Sequence, residues 1–185
     1  GDYQHDFDVV VAQARQWIDE TAPKTRRPAI VLDIDETTLS NWDEIRANDF
    51  GYIAAGPCDA LPKGPCGADA WEKSGRAPAF VSTRALIEDA QAHHVAVFFV
   101  TGRHEDEREA TERNLHLAGI RHWDGLYLRP MTSHGYAALY KTPTRERIER
   151  KGYTIIASLG DQPSDLSGGY AKKGFLLPNP FYRIP

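Results

Sequence analysis

The chain has 185 residues, 41% of them hydrophobic, and a formal net charge of −4 at pH 7. This length is sufficient for one domain with a substantial core, and we expect residues 1–185 to form a single domain. Charges of both signs are interspersed, so no nucleic-acid partner is expected, and no apolar run is long enough to span a membrane.

An amphipathic helix is predicted over residues 6–20. Val10, Ala14 and Ile18 recur at helical spacing, and Asp6 stands where a helix-opening residue is expected. The helix should end before the next proline, which cannot continue it. A short basic connector follows, which we interpret as a solvated turn.

The central feature of the sequence is an apolar strand that ends in two acids. Residues 30–32 are aliphatic, and Asp33 and Asp35 follow on alternate positions at the expected carboxyl end of a buried parallel strand, where open α/β sheets bind ligands. Because two carboxylates this close repel each other, we predict a hard divalent cation between them. Asp33 would be a metal ligand and nucleophile, and Asp35 a general acid and base; an ordinary acidic loop is the alternative.

Residues 40–79 are the least regular part of the chain and are rich in glycine, proline and aromatic residues. An insertion of this length directly after the central strand is a natural lid or cap over a pocket. Its aromatic side chains could stack on a substrate ring, with Trp71 the first choice, or could simply pack a small subdomain.

The only two cysteines, Cys58 and Cys66, lie in the same insertion. We predict that they form a disulfide, which would stabilise a loop with little core of its own and indicate an oxidising compartment. Two unpaired thiols are the alternative, and no further Cys or paired His lies nearby to indicate zinc. A chain that begins at Gly1 is also typical of a processed product whose leader has been removed, so we expect a periplasmic or secreted protein.

The next strand ends in a junction that suits phosphate. Ser82 is expected to cap a helix that runs to about His94, and an apolar strand over residues 95–100 ends in Thr101-Gly102-Arg103. Exposed N–H groups at this strand end, before the acidic helix predicted over residues 105–118, could bind a phosphate oxygen. A tight turn that uses glycine for its backbone is the alternative.

A lysine follows the third predicted strand, residues 125–128. Lys141 precedes Thr142 and Pro143, which are expected to open a helix that runs to Arg150. A lysine at this helix start could reach a phosphate as a compact charge, or could be one more solvated cation.

A second pair of acids follows the fourth predicted strand, residues 153–159. Asp161 and Asp165 are expected at its carboxyl end, as Asp33 and Asp35 are at the end of the first strand, and they add evidence for a site there. A closing strand over residues 175–177 leads into the run that ends at Tyr182.

Taken in order, these motifs resemble those of the haloacid dehalogenase superfamily. They are Asp33-Ile34-Asp35-Glu36-Thr37, Thr101 after an apolar strand, Lys141, and Gly160-Asp161 with Asp165. The Gly-Asp-Gln-x-Ser-Asp-Leu run at 160–166 and the Leu-Pro-Asn-Pro-x-Tyr ending at 177–182 are similar to the acid phosphatase branch, which includes bacterial class C enzymes and plant vegetative storage proteins. The resemblance implies a three-layer, Rossmann-like α/β fold with a mostly parallel sheet and a small cap, residues 40–79, after the first strand.

The resemblance also implies a magnesium-dependent phosphomonoesterase. Asp33 would attack phosphorus to form an aspartyl-phosphate, and Asp35 would protonate the leaving alcohol and then activate water. Mg²⁺ would be bound by Asp33, the Asp35 backbone carbonyl and Asp161, with Asp165 supporting the metal directly or through water.

Phosphate contacts follow from the same resemblance, whereas the expected substrate contacts rest on the aromatic residues of the chain. Thr101, Gly102 and Lys141 would hold the phosphoryl oxygens. Small phosphomonoesters are the expected substrates, with nucleoside monophosphates among the candidates, and the chain could form a homodimer. The expected rim of the pocket consists of Trp71, Trp42 and Tyr182.

Two other functions remain open at this point. A storage or binding protein with a vestigial site is one, although plant storage members can lack the nucleophile and Asp33 is intact here. A phosphatase that acts on nucleic-acid ends is the other, against which the chain has no basic stripe. One departure concerns the substrate: class C enzymes usually carry a tyrosine shortly after the first motif, where this chain has Trp42-Asp43-Glu44.

Overall fold

The computed structural model describes residues 2–184 and is built around a parallel sheet. The strands are β1 (Pro28–Leu32), β2 (Ala96–His104), β3 (Gly125–Arg129), β4 (Thr154–Gly160) and β5 (Gly174–Leu176). Their spatial order is β3-β2-β1-β4-β5, and each neighbouring pair is parallel. The predicted α/β fold is confirmed, with a sheet that is entirely parallel in the described part of the chain.

Helices cover both faces of this sheet. They are α1 (Asp2–Thr21), α2 (Trp42–Ala47), α3 (Ala68–Ser74), α4 (Val81–Ala92), α5 (Arg108–Leu117) and α6 (Ala138–Arg150). Ile30 and Leu32 of β1 share a hydrophobic cluster with Leu86 of α4, whereas Val31 packs in a second cluster with Ile148 of α6. The alternation follows from the strand geometry, which sends successive side chains to opposite faces, and it produces the three expected layers.

Helix α1 begins earlier than predicted. It starts at Asp2, so Asp6 lies inside the helix, and its buried side chains are Phe7, Val11, Ala14 and Ile18. No proline or glycine in residues 2–5 interrupts the helix, and an acid in the first turn is favourable beside the helix dipole. None of the helices in residues 2–184 is both long enough and apolar enough to cross a membrane.

The predicted starts of α4 and α6 are wrong. Helix α4 begins at Val81 without a side-chain cap, so Ser82 is not its N-cap. Helix α6 begins at Ala138, and Lys141 N–H already donates to the Ala137 carbonyl at 2.9 Å. Thr142 lies within the helix, where its hydroxyl donates to the Ser167 carbonyl at 3.0 Å. At the start of α4 the Phe80 N–H donates to the Thr38 carbonyl at 3.0 Å, a tertiary contact that the local sequence does not reveal.

The insertion after β1 contains two short helices, α2 and α3. The predicted disulfide between Cys58 and Cys66 is formed. Asn48 reinforces it, because its side-chain amide donates to the Cys66 carbonyl at 2.7 Å and its Oδ1 accepts the Cys66 N–H at 2.8 Å. Side-chain hydrogen bonds and a covalent link thus order a segment that buries few apolar residues of its own.

The strand order determines where the functional residues meet. Strands β2, β1 and β4 are neighbours and run in the same direction, so their carboxyl ends lie at one edge of the sheet. Thr101 lies near the end of β2, Asp33 follows β1, and Asp161 follows β4. These three residues, far apart in sequence, therefore lie at the same edge of the sheet.

Candidate active site

The predicted nucleophile, Asp33, lies directly after β1 and is 6% exposed. Its N–H donates to the Leu159 carbonyl of β4 at 3.0 Å, so the sheet fixes its position. Lys141 Nζ donates to Asp33 Oδ1 at 2.8 Å and to Asp165 Oδ1 at 2.5 Å. This lysine of α6 therefore connects the first and last acidic motifs.

Three buried carboxylates converge at this edge of the sheet. Asp33, Asp161 and Asp165 each present a ligand atom within 4.8 Å of the others. Burial raises the pKa of Asp33; Lys141 opposes the rise, and the other acids add to it. Burial alone would lower the pKa of Lys141, but Asp33 and Asp165 outweigh it and raise that pKa. Because one lysine cannot neutralise three carboxylates, the donor set fits a hard divalent cation such as Mg²⁺.

Close packing shapes the loop that follows β4. A side chain at Gly160 would collide with the side chain of Asp165. Both oxygens of Asp165 accept protein donors, Oδ1 from Lys141 and Oδ2 from the Gln162 N–H at 2.9 Å. Arg145, which is 1% exposed, donates to the Asp165 carbonyl at 2.8 Å. These contacts hold Asp165 in place as the partner of the lysine.

The side chain of Asp35 is bound by a buried arginine. Arg103 Nε donates to Asp35 Oδ2 at 3.0 Å and its Nη2 donates to Oδ1 at 2.7 Å, a bidentate arrangement to which Asn41 Nδ2 adds a donor at 3.0 Å. Burial favours the neutral acid, but Arg103 and Asn41 outweigh it and hold the pKa of Asp35 below its usual value. Asp35 is thus an oriented carboxylate, and 21% of its side chain remains exposed.

The predicted phosphate contacts lie at the end of β2. Thr101 is fully buried, and its hydroxyl oxygen accepts the Arg103 N–H at 3.1 Å. Gly102 is exposed, and a Cβ there would meet no atom within 4 Å. Pairing of β2 with β3 is irregular between Val100 and His104, so this stretch departs from the regular ladder. Open space and irregular backbone are what a phosphate-binding strand end requires, and this role stays a prediction.

A buried polar network adjoins Asp35 in the chain. Glu36, 1% exposed, accepts the N–H and the side-chain amide of Asn41, both at 2.8 Å. Tyr182 Oη donates to Glu36 Oε2 at 3.0 Å. Burial raises the pKa of Glu36 to about 8. Tyr182 was expected on the substrate rim; its hydroxyl is occupied by Glu36, and a contact of its ring with substrate stays a prediction.

Three aromatic rings, two exposed and one partly buried, form a cluster that we call the aromatic rim. The ring centroids of Trp42, Phe50 and Phe181 are 5.6 to 6.2 Å apart. Trp42 is 41% exposed and Phe50 is 57% exposed. Because Trp42 directly follows Asn41, a partner of Asp35, the rim lies beside the acids.

The prediction that Trp71 stacks on a substrate is wrong. Its side chain is 3% exposed, and its indole N–H donates to Asn41 Oδ1 at 2.8 Å. Trp71 and Ala68 form the buried face of helix α3, so the indole packs inward as the apolar face of an amphipathic helix does. The ring therefore supports Asn41 from within the core.

Sequence reasoning missed Arg103, Asn41 and Asn179, which each donate a hydrogen bond to an acid of the site. Arg103 offered a signal, because a charged residue that continues a buried strand needs an acidic partner. The two asparagines offered none, since tertiary folding alone decides what a side-chain amide contacts.

Comparison with protein families gives a match over the whole chain. A model of the family described as HAD superfamily, subfamily IIIB (acid phosphatase), matches residues 1–185. The chain is 34% identical over 160 residues to acid phosphatase 1 of Solanum lycopersicum, covering 85% of this chain and 60% of that protein. It is 28% identical over 186 residues to vegetative storage protein 1 of Arabidopsis thaliana, covering 99% of this chain and 66% of that protein. The chain thus spans less than two thirds of these relatives.

Comparison with solved structures supports the same fold. The class C acid phosphatase from Bacillus anthracis superposes with a TM-score of 0.79 at 20% sequence identity, covering 99% of this chain and 80% of that one. At this identity the likeness concerns the fold alone.

Proposed function

Because the chain belongs to subfamily IIIB of the HAD superfamily, the acid phosphatases, we propose that it is a magnesium-dependent phosphomonoesterase that works through Asp33. The observation that carries this proposal is the buried ion pair of Lys141 and Asp33, 2.8 Å between Nζ and Oδ1, beside Asp161 and Asp165. A carboxylate held beside a cation and other acids is a suitable nucleophile for phosphorus.

The metal would be held by the Asp33 and Asp161 carboxylates and the Asp35 backbone carbonyl, with Asp165 in support. When bound, Mg²⁺ supplies positive charge that orients the phosphoryl group and offsets its negative charge. This assignment agrees with Asp35 lying outside the cluster of three carboxylates, because its side chain would then take part in proton transfer and not in metal binding.

In the first step an Asp33 carboxylate oxygen bonds to phosphorus as the bond to the leaving oxygen breaks. Asp35 gives its proton to that oxygen, so an alcohol departs and an aspartyl-phosphate remains. Arg103 holds the resting pKa of Asp35 low, and a phosphate dianion beside it favours the protonated form. In the second step Asp35 takes a proton from water, whose oxygen bonds to phosphorus and releases Asp33. Lys141 and the Thr101 region bind the phosphoryl oxygens throughout.

We propose substrates that carry an aromatic ring on the departing alcohol or phenol, such as nucleoside monophosphates or aryl phosphates. The aromatic rim of Trp42, Phe50 and Phe181 supports this, because exposed rings beside the acids offer stacking surfaces for a flat group. The insertion, residues 40–79, would act as a partial cap, because it contributes two of these rings.

The disulfide also supports a location. A bond between Cys58 and Cys66 persists in oxidising compartments, so we propose a periplasmic or secreted protein.

Hydrolysis of a panel of phosphomonoesters, with and without Mg²⁺, tests the function. We expect magnesium-dependent phosphate release by the wild type and none above background by Asp33→Asn, which keeps the shape of the side chain but removes the nucleophile. A protein that binds Mg²⁺ but turns over no ester would support a storage or binding protein with a vestigial site. Turnover confined to nucleic-acid ends would support the other alternative.

A further inference from the structure

The Leu177–Tyr182 segment has no role in the four motifs of the site, yet it lies against them. Leu177, 1% exposed, follows β5. Its N–H donates at 2.8 Å to the carbonyl of Gly160, the residue directly before Asp161. Asn179 follows two residues later, between two prolines whose fixed φ angles restrict its backbone. The segment thus carries one polar side chain past the end of β4.

The side-chain amide of Asn179 is bound at both ends. Its Nδ2 donates to Asp161 Oδ2 at 2.7 Å. Its Oδ1 accepts the N–H groups of Phe181 at 2.9 Å and of Tyr182 at 3.3 Å. The two backbone donors determine which end of the amide is the oxygen, so the nitrogen must face Asp161.

A second amide donates to the same carboxylate oxygen. Gln162 Nε2 lies 2.5 Å from Asp161 Oδ2, and Gln162 Oε1 accepts the Ile184 N–H at 2.9 Å. Within residues 2–184, no hydrogen-bond donor contacts Asp161 Oδ1. Two amides therefore occupy one oxygen of the carboxylate and leave the other available, which is the arrangement expected of a ligand that binds a cation through a single oxygen.

We propose that Asn179 is a positioning residue that fixes the Asp161 carboxylate for metal binding, and that the Leu177–Tyr182 segment is therefore part of the metal site. The inference rests on the proposed function, because it requires the cluster of Asp33, Asp161 and Asp165 to bind Mg²⁺. It assigns a role to the Leu-Pro-Asn-Pro-x-Tyr run. The same segment carries Phe181 of the aromatic rim, so it would connect metal binding to substrate contact.

Thermal unfolding of metal-free protein titrated with MgCl₂ tests the proposal without using activity. A cation that binds only the folded state raises Tm with concentration, which yields a Kd. We expect Asn179→Ala to weaken Mg²⁺ binding by about tenfold, the lower end of the effect of removing a hydrogen-bond partner from a metal ligand. Asn179 is only partly buried, so the variant should fold.

Phe181→Leu is the matched control, because it loosens the packing of the same segment without removing a partner of Asp161. We expect its Kd for Mg²⁺ to equal that of the wild type and its KM for an aryl phosphate to rise. Gln162→Leu removes the other amide from Asp161 Oδ2, and we expect it to weaken Mg²⁺ binding as Asn179→Ala does.

The outcomes separate this proposal from the proposed function. No Mg²⁺-dependent shift in the wild type would contradict the metal site itself. A normal shift in the wild type and an unchanged Kd in Asn179→Ala would overturn the role of Asn179 alone. Equal weakening by Phe181→Leu would also overturn it, since docking of the whole segment would then be responsible.

Discussion

At the scale of single residues, Arg103 determines how Asp35 can act. The Arg103 side chain is 1% exposed, and its guanidinium binds both oxygens of Asp35 through Nε and Nη2. A planar guanidinium matches a carboxylate in a fixed plane, whereas a lysine ammonium does not. The carboxylate is thus held in one orientation before substrate arrives, which is favourable for proton transfer.

Arg103→Lys should therefore impair proton transfer more than phosphate binding. We expect kcat/KM to fall by about 100-fold for an alkyl phosphate, whose leaving group needs a proton, at the lower end of general acid catalysis. For p-nitrophenyl phosphate, whose leaving group departs without a proton, we expect a fall of less than about tenfold.

Steady-state kinetics with both esters provide the measurement. Arg108→Lys is the matched control, because Arg108 is more exposed and pairs with Glu105 rather than with an acid of the site. Equal losses for the two esters would show that Arg103 acts in phosphate binding and not through Asp35.

At the scale of secondary-structure elements, helix α3 brings an acid of the insertion close to this arginine. Burial raises the pKa of Glu72 to about 9. The negative charge of Asp35 and a hydrogen bond to Glu107 also raise this pKa, whereas the positive charge of Arg103 lowers it. An acid whose folded pKa exceeds its unfolded value binds more protons when folded. Its stabilising effect is therefore present below the unfolded pKa and is lost as pH rises toward the folded pKa.

Glu72→Gln should remove this dependence, because an amide stays neutral and can still donate to Glu107. We expect the variant to be more stable than the wild type at pH 8 by about 1 kcal/mol, and the difference to vanish near pH 4. Urea unfolding at several pH values measures it. Glu88→Gln on α4 is the control, since its side chain is 64% exposed. If the difference in stability between Glu72→Gln and the wild type does not change with pH, the raised pKa of Glu72 would be contradicted.

The elements also show what sequence could predict. Strand bounds agreed within a few residues, because continuous aliphatic runs such as residues 30–32 have few other structures available. Gly119 and Gly152 follow the ends of α5 and α6 with φ of +90° and +89°, the left-handed conformation in which glycine commonly ends a helix. The predicted starts of α4 and α6 were wrong because neither helix uses the local capping signal, and both begin without a side-chain cap.

Some residues of the candidate site could likewise be predicted from the sequence, and others could not. Asp33, Asp161 and Asp165 could be placed together because parallel strands end at one edge, and the structure brings them within 4.8 Å of each other. Trp71 and Asn179 could not be placed, since an aromatic ring at helical spacing can be core or rim, and an amide has no preferred partner. Their positions depend on contacts across the fold.

At the scale of the whole molecule, the sheet order collects residues from four separate stretches at one edge. The acids come from the ends of β1 and β4, Lys141 from the helix on one face, and Asn179 from the segment after β5. A cleft of about 480 Å³ lies instead at the amino end of the strands, lined by Arg27 and Trp123 among others. The proposed site is therefore located by the convergence of strand ends and not by the volume of this cleft.

Chemical trapping of the aspartyl-phosphate tests directly whether Asp33 is the nucleophile. Protein mixed with Mg²⁺ and a phosphomonoester is quenched in acid within the first turnover, digested and analysed by peptide mass spectrometry. We expect a phosphoryl group on the peptide that contains Asp33, absent in Asp33→Asn and lost on mild alkaline treatment. Full turnover with no phosphoryl group on that peptide, or with one on another residue, would contradict this role of Asp33.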